Sequence, residues 1–70
     1  MKTIFSIRIK EIRQGLGLSM ADFAKELNVK KSRVNMWENG NSIPHTDMLI
    51  AISQKYGVTI DYMVGNEIHI

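Results

Sequence analysis

A chain of 70 residues and 8.0 kDa has room for one hydrophobic core, because a domain this small buries only about 60% of the surface that its unfolded form exposes. With no Cys, disulfide frameworks and thiolate zinc sites are excluded, and a reducing cytoplasm is the expected compartment. Hydrophobic residues at 44% and charged residues at 23% mark a folded domain, so 1–70 reads as a single domain with 66–70 as a short C-terminal tail.

The opening MKTIFSIRIK carries Arg8 and Lys10 before the roughly 7–15 apolar residues of an export signal can accumulate. The longest apolar run, Met48 to Ile52, is far below the ~20 residues of a membrane span. Net charge is only +2, but residues 1–37 hold eight Lys and Arg against three acids, whereas 38–70 hold Lys55 against four acids. A basic half offers a polyanion a footprint and leaves the other half free for a protein partner.

Five segments separate at turn residues. Phe5, Ile9, Ile12 and Leu16 predict a first helix from Phe5 to about Gln14, ended at Gly15-Leu-Gly17. Met20, Phe23, Ala24 and Leu27 form the stripe of a second helix over about 19–27, with Ser19 as cap, Asp22 completing a capping-box variant and Asn28 closing the helix in a left-handed turn. A third helix spans about 31–38 and closes at Asn39-Gly40. Pro44 marks the start of a fourth, patterned by Leu49, Ile52 and Tyr56 and stopped by Gly57. Thr59 caps a short fifth helix, Ile60 to Val64, before Gly65. The class is all-α, a compact five-helix domain.

Catalytic constellations are missing from this pattern. His45 and His69 lie far apart with no metal-binding partner at helical spacing, there is no Cys nucleophile and no Gly-rich phosphate loop. No enzyme, cofactor, metal site or small-molecule ligand is therefore expected.

The informative stretch is Met20 to Gly40. Only Asn28-Val29-Lys30 separates the second and third helices, so they must cross steeply through a tight turn, with Ala24 small at the approach and Val34 pointing into the gap. On a wheel of about 100° per residue with Lys31 at zero, Val34 and Trp37 fall near 300° and 240°, whereas Asn35, Ser32 and Met36 fall near 40°, 100° and 140°. The outer face therefore shows Lys31, Ser32, Asn35 and Met36, flanked by Arg33, with no acid. Asn suits adenine, Lys and Arg suit guanine, Ser is adaptable and Met can touch a thymine methyl.

Residues from about Arg8 to Gly65 resemble the phage-repressor or Cro-type, XRE-like helix-turn-helix family of five-helix DNA-binding domains. The resemblance is carried by Arg8-Ile-Lys-Glu-Ile-Arg13, Gly17-Leu-Ser19, Phe23-Ala24-x-x-Leu27, Val29, Trp37-Glu38-Asn39-Gly40, Ile43-Pro44 and Gly57-Val-Thr-Ile-Asp-Tyr62. It implies that the third helix lies in the major groove of double-stranded DNA, with Lys31, Ser32, Asn35 and Met36 at base-reading positions and Arg33 nearer the backbone. It also nominates Asn39, Asn41 and Ser42 for phosphate, and an orienting ion pair between Arg13 and Glu38. Two positions depart from the family. Met20 stands where Gln is usual, which favours packing over phosphate contact, and Lys30 stands where a capping Ser or Thr is usual, exchanging a cap for a phosphate-reaching cation.

His45 is placed to meet a phosphate at the start of the fourth helix, with simple surface exposure as the alternative. Met48, Ile50, Ile60, Met63, Val64, Ile68 and Ile70 are candidates for a homodimer interface on the acidic half, the alternative being packing within the molecule. The functional expectation is a cytoplasmic, sequence-specific transcriptional repressor that binds a pseudo-palindromic operator as a dimer. Two alternatives stay open: an antitoxin or adaptor-type protein-interaction module, and the N-terminal DNA-binding part of a longer regulator.

Overall fold

The structure is a computed structural model that describes residues 2–66. Among the described residues it contains five helices and no strand: α1 (Ile4–Gly15), α2 (Met20–Glu26), α3 (Lys31–Glu38), α4 (Thr46–Tyr56) and α5 (Ile60–Val64). No helix among them is long and apolar enough to cross a membrane.

Helix starts follow local chemistry. Thr3 Oγ1 accepts from the Ser6 backbone while Ser6 Oγ accepts from the Thr3 backbone, a full capping box that the apolar pattern did not reveal. At α2 only half of the expected box forms. Ser19 Oγ accepts from the Asp22 N–H, but no bond returns from Asp22, whose side chain is one carbon shorter than the Glu that usually makes it. Thr59 caps α5 through the Tyr62 N–H, whereas Lys30 and His45 start α3 and α4 without a side-chain cap bond.

The turn between α2 and α3 closes on backbone bonds. The Val29 N–H donates to the Ala24 carbonyl at 2.9 Å and the Asn28 N–H to the Lys25 carbonyl at 3.1 Å, which requires the intervening Asn28 to be left-handed, at φ 58°. Gly40, at φ 78°, performs the same service after α3. Gly65, at φ 76°, also lies against Ile4, where any Cβ would approach that side chain to 2.7 Å.

Phe5, Ile9, Phe23, Ala24, Leu27, Val34, Trp37, Ile52 and Met63 form the core. Phe5 and Trp37 meet edge to face with ring centroids 6.5 Å apart, which locks α1 onto α3. α2 packs on α3, and α1 bridges α3 and α5. Arg8 lies 4.4 Å above the Tyr62 ring and adds a cation–π contact to the α1–α5 seam.

Two expectations about the apolar surface change. Met63 is fully buried in the chain's own core and so is removed from the candidate dimer surface. Short α5 has too few side chains to cover α1 without it. Met48 and Ile60 are half-buried and pack against the same core, which leaves Ile50 and Val64 as the exposed members among the described residues. Ile68 and Ile70 lie outside the described residues, as does His69.

Candidate nucleic-acid interface

α3 divides into two faces as its wheel requires. Val34 and Trp37 are buried at 0% and 1% exposure, whereas Lys31, Ser32, Asn35 and Met36 lie exposed on the outer face, with Arg33 exposed at its flank. Lys30 adds a further exposed cation at the start of the helix. No acid stands on this outer face. The helix's acidic residue, Glu38, is turned inward at 2% exposure.

Buried carboxylates are costly unless paired, and Glu38 is paired on both oxygens. Arg13 Nε donates to Oε2 at 2.7 Å and Nη2 to Oε1 at 3.1 Å, a bidentate fork. The third guanidinium nitrogen, Nη1, donates to the Leu18 carbonyl at 2.8 Å, just before α2. One side chain thus ties α1, the approach to α2 and the end of α3 together. Hydrogen bonding to Glu38 raises the Arg13 pKa further above its ordinary value, so this cation stays charged.

Lys2 completes the arrangement. Its Nζ donates to the Glu38 carbonyl at 2.9 Å, placing a cation on the negative end of α3, which lacks a basic residue in its own last turn. The contact of Lys2 was not foreseeable, because no local pattern links residues so distant in sequence.

Asn39, nominated for phosphate, is exposed at the end of α3 and donates through Nδ2 to Asn35 Oδ1 at 3.2 Å. The spacing of four residues on one helix is the sequence signal of such a pair. Asn41 is exposed and Ser42 half-buried in the loop that follows, and His45 is exposed ahead of α4. Met20 is half-buried and packs against the core. The α3 face, Lys30, Asn39 and the loop through Asn41 are therefore contiguous along the chain and solvent-facing.

An open cleft of about 500 Å3 is lined by Glu11, Ile12, Gly57, Val58, Thr59 and Tyr62. It draws on α1, the α4–α5 connection and α5, and receives nothing from α3.

Two packed helices joined by a tight turn, the second presenting an acid-free, basic outer face, have the form of a helix-turn-helix DNA-binding domain. Residues 9–63 match the helix-turn-helix family, and the chain belongs to the XRE-type branch of these transcription regulators. It is 33% identical over 60 residues to the HTH-type transcriptional regulator ImmR of Bacillus subtilis (strain 168), covering 86% of this chain and 47% of that protein. To the HTH-type transcriptional activator BcrR of Enterococcus faecalis it is 30% identical over 63 residues, covering 90% of this chain and 31% of that protein. The crystal structure of a transcriptional regulator from Listeria innocua shares the fold, with a TM-score of 0.85 at 23% identity over 100% of this chain and 65% of that one. The chain thus spans less than half the length of these two curated relatives. Membership places this domain among DNA-binding transcription regulators.

Proposed function

We propose that this domain reads DNA sequence by laying α3 in the major groove, and that it does so as a homodimer on a pseudo-palindromic operator. The observation that carries the reading is the division of α3: its acid is buried and neutralised by Arg13, and its free face offers Lys31, Ser32, Asn35 and Met36 to base edges. Lys30, Arg33, Asn39, Asn41, Ser42 and His45 surround that face as phosphate contacts, which supply affinity and register rather than sequence choice. Exposed Ile50 and Val64 favour an apolar contact between subunits on the less basic half. Repression is the mode of action we favour, because occupation of a promoter needs only the bound domain. Its site of action is then the cytoplasm, where bacterial promoters lie.

Selection of bound duplexes from a random pool at two salt concentrations tests this reading. A consensus with two-fold symmetry and half-site centres about 34–36 Å apart is expected to survive the higher salt. Sequence-blind binding that vanishes with salt would overturn it. Asn35→Ala is expected to cost about 1–3 kcal/mol at one base position, whereas Arg33→Ala weakens all sequences alike and lowers the salt slope by about 1.

A second reading, in which this is the DNA-binding part of a longer regulator, is favoured by its covering only 47% and 31% of its relatives. Continuation of the reading frame beyond Ile70 in the transcript is its test.

A further inference from the structure

We propose that Asn39 sets the base preference of Asn35 without touching a base itself, by fixing which end of the Asn35 amide faces outward. This rests on the reading of α3 as the base-contacting helix.

A side-chain amide has two ends of nearly equal size and opposite hydrogen-bonding character: an amino group with two donors and an oxygen with two acceptor sites. A half-turn about its last bond exchanges them at little steric cost. An isolated Asn on a reading helix is therefore ambiguous, able to offer a donor or an acceptor to the same base edge. Here a second amide meets it: Asn39 Nδ2 donates to Asn35 Oδ1 at 3.2 Å from one turn further along α3, and the reversed pairing would turn the Asn39 oxygen toward the negative end of the helix. No other side chain among the described residues bonds the Asn35 amide. Asn39 is itself held at the end of the helix, where its N–H donates to the Asn35 carbonyl at 3.0 Å. The negative end of the α3 dipole favours the positive amino end of the Asn39 amide turned back toward the helix.

With Oδ1 drawn toward Asn39, Asn35 presents Nδ2 and its hydrogens to the groove. An outward donor meets acceptors on guanine (N7, O6), adenine (N7) and thymine (O4), but only the N4 donor on cytosine. The bond therefore makes Asn35 reject cytosine. Reversing the bond would reverse the choice. A carboxylate at position 39 can only accept, so Asn39→Asp turns Asn35 Nδ2 inward and Oδ1 outward, favouring the amino groups of cytosine and adenine and rejecting guanine and thymine.

The experiment is selection from a random duplex pool, followed by sequencing, with the full chain and its Asn35→Ala, Asn39→Asp and Asn39→Ala variants. Thermal unfolding of each protein accompanies it. Asn35→Ala is expected to make one position per half-site degenerate, which identifies the position that Asn35 reads. At that position Asn39→Asp is expected to move the preference from exclusion of cytosine to cytosine or adenine, by about tenfold over guanine and thymine. Asn39→Ala frees the amide and reduces any preference there to less than about threefold. The added acid of Asn39→Asp weakens binding to every sequence, but the ratio between bases at one position is insensitive to that loss. Retention of the wild-type preference in Asn39→Asp or Asn39→Ala, with Asn35→Ala still degenerate, would overturn the proposal and leave the reading of α3 standing. A consensus unmoved by Asn35→Ala would remove both.

Discussion

α3 and α4 both begin without a side-chain cap, at Lys30 and His45, yet they are held in the molecule by different physics. In eight residues α3 buries Val34, Trp37 and Glu38 and is gripped by a bidentate ion pair from α1 and a lysine on its last carbonyl. Eleven-residue α4 fully buries only Ile52. It is tied to α2 at the surface, where the Tyr56 hydroxyl donates to Glu26 Oε1 at 2.7 Å, Lys55 Nζ donates to the Glu26 carbonyl at 3.2 Å, and the Tyr56 ring leans on Phe23. The difference is one of direction. Apolar packing alone lets a helix slide or turn by small amounts, whereas a forked pair of charged hydrogen bonds admits one orientation. On the proposed function α3 must present side chains to a fixed groove, and the second kind of attachment suits that role.

The largest effect that would sharpen this contrast is expected from Arg13→Met. It strands the Glu38 carboxylate at 2% exposure and removes the donor to the Leu18 carbonyl, for an expected loss of about 3–5 kcal/mol in urea unfolding. The double variant Arg13→Met with Glu38→Leu is expected to regain most of that stability, since well-packed apolar pairs replace buried ion pairs at little cost. Its DNA affinity should nevertheless stay low. Wild-type affinity in the double variant would break the comparison, because packing alone would then orient α3.

A smaller effect, of opposite sign, is expected where both helices are alike. Lys30→Ser restores a capping oxygen at the start of α3 and should add about 0.5–1 kcal/mol of stability. Binding to all sequences should weaken together, with the salt slope falling by about 1. An unchanged slope would show that Lys30 faces only solvent.

The smallest effect concerns α4. Burial, and then the hydrogen bond to Glu26, raise the Tyr56 pKa above its ordinary value of 10.0. The neutral phenol is therefore favoured by the folded state. Its contribution is complete below about pH 10 and is lost as pH rises beyond that value toward the folded pKa. Comparison of unfolding midpoints should show a shallower alkaline decline in Tyr56→Phe than in the wild type, with little difference at neutral pH because the contact is largely solvated. Parallel curves would remove Glu26–Tyr56 as an anchor of α4.

Much of the fold was legible in the chain because it is written locally. The boundaries of α3 and α5, the left-handed turn at Asn28 and the inward face of Val34 and Trp37 follow from helical periodicity and from residues that tolerate particular backbone angles. Ser19 shows the limit of even local rules, since the Asp22 N–H donates to its hydroxyl while the Asp22 side chain returns no bond. Met63 shows another limit. An apolar residue on a five-residue helix carries too little pattern to reveal which side is inward, and only its neighbours place it in the core.

Composition, spacing and caps thus specify an all-helical domain, the tight crossing of α2 and α3 and the residue types on each face of α3. These depend on contacts within a few residues, whose geometry any helix imposes. Two features arise instead from segments far apart in the chain: the reach of Lys2 to the end of α3 and the burial of Met63. Their distances depend on how the helices pack, and packing is a property of the whole core rather than of any stretch of sequence.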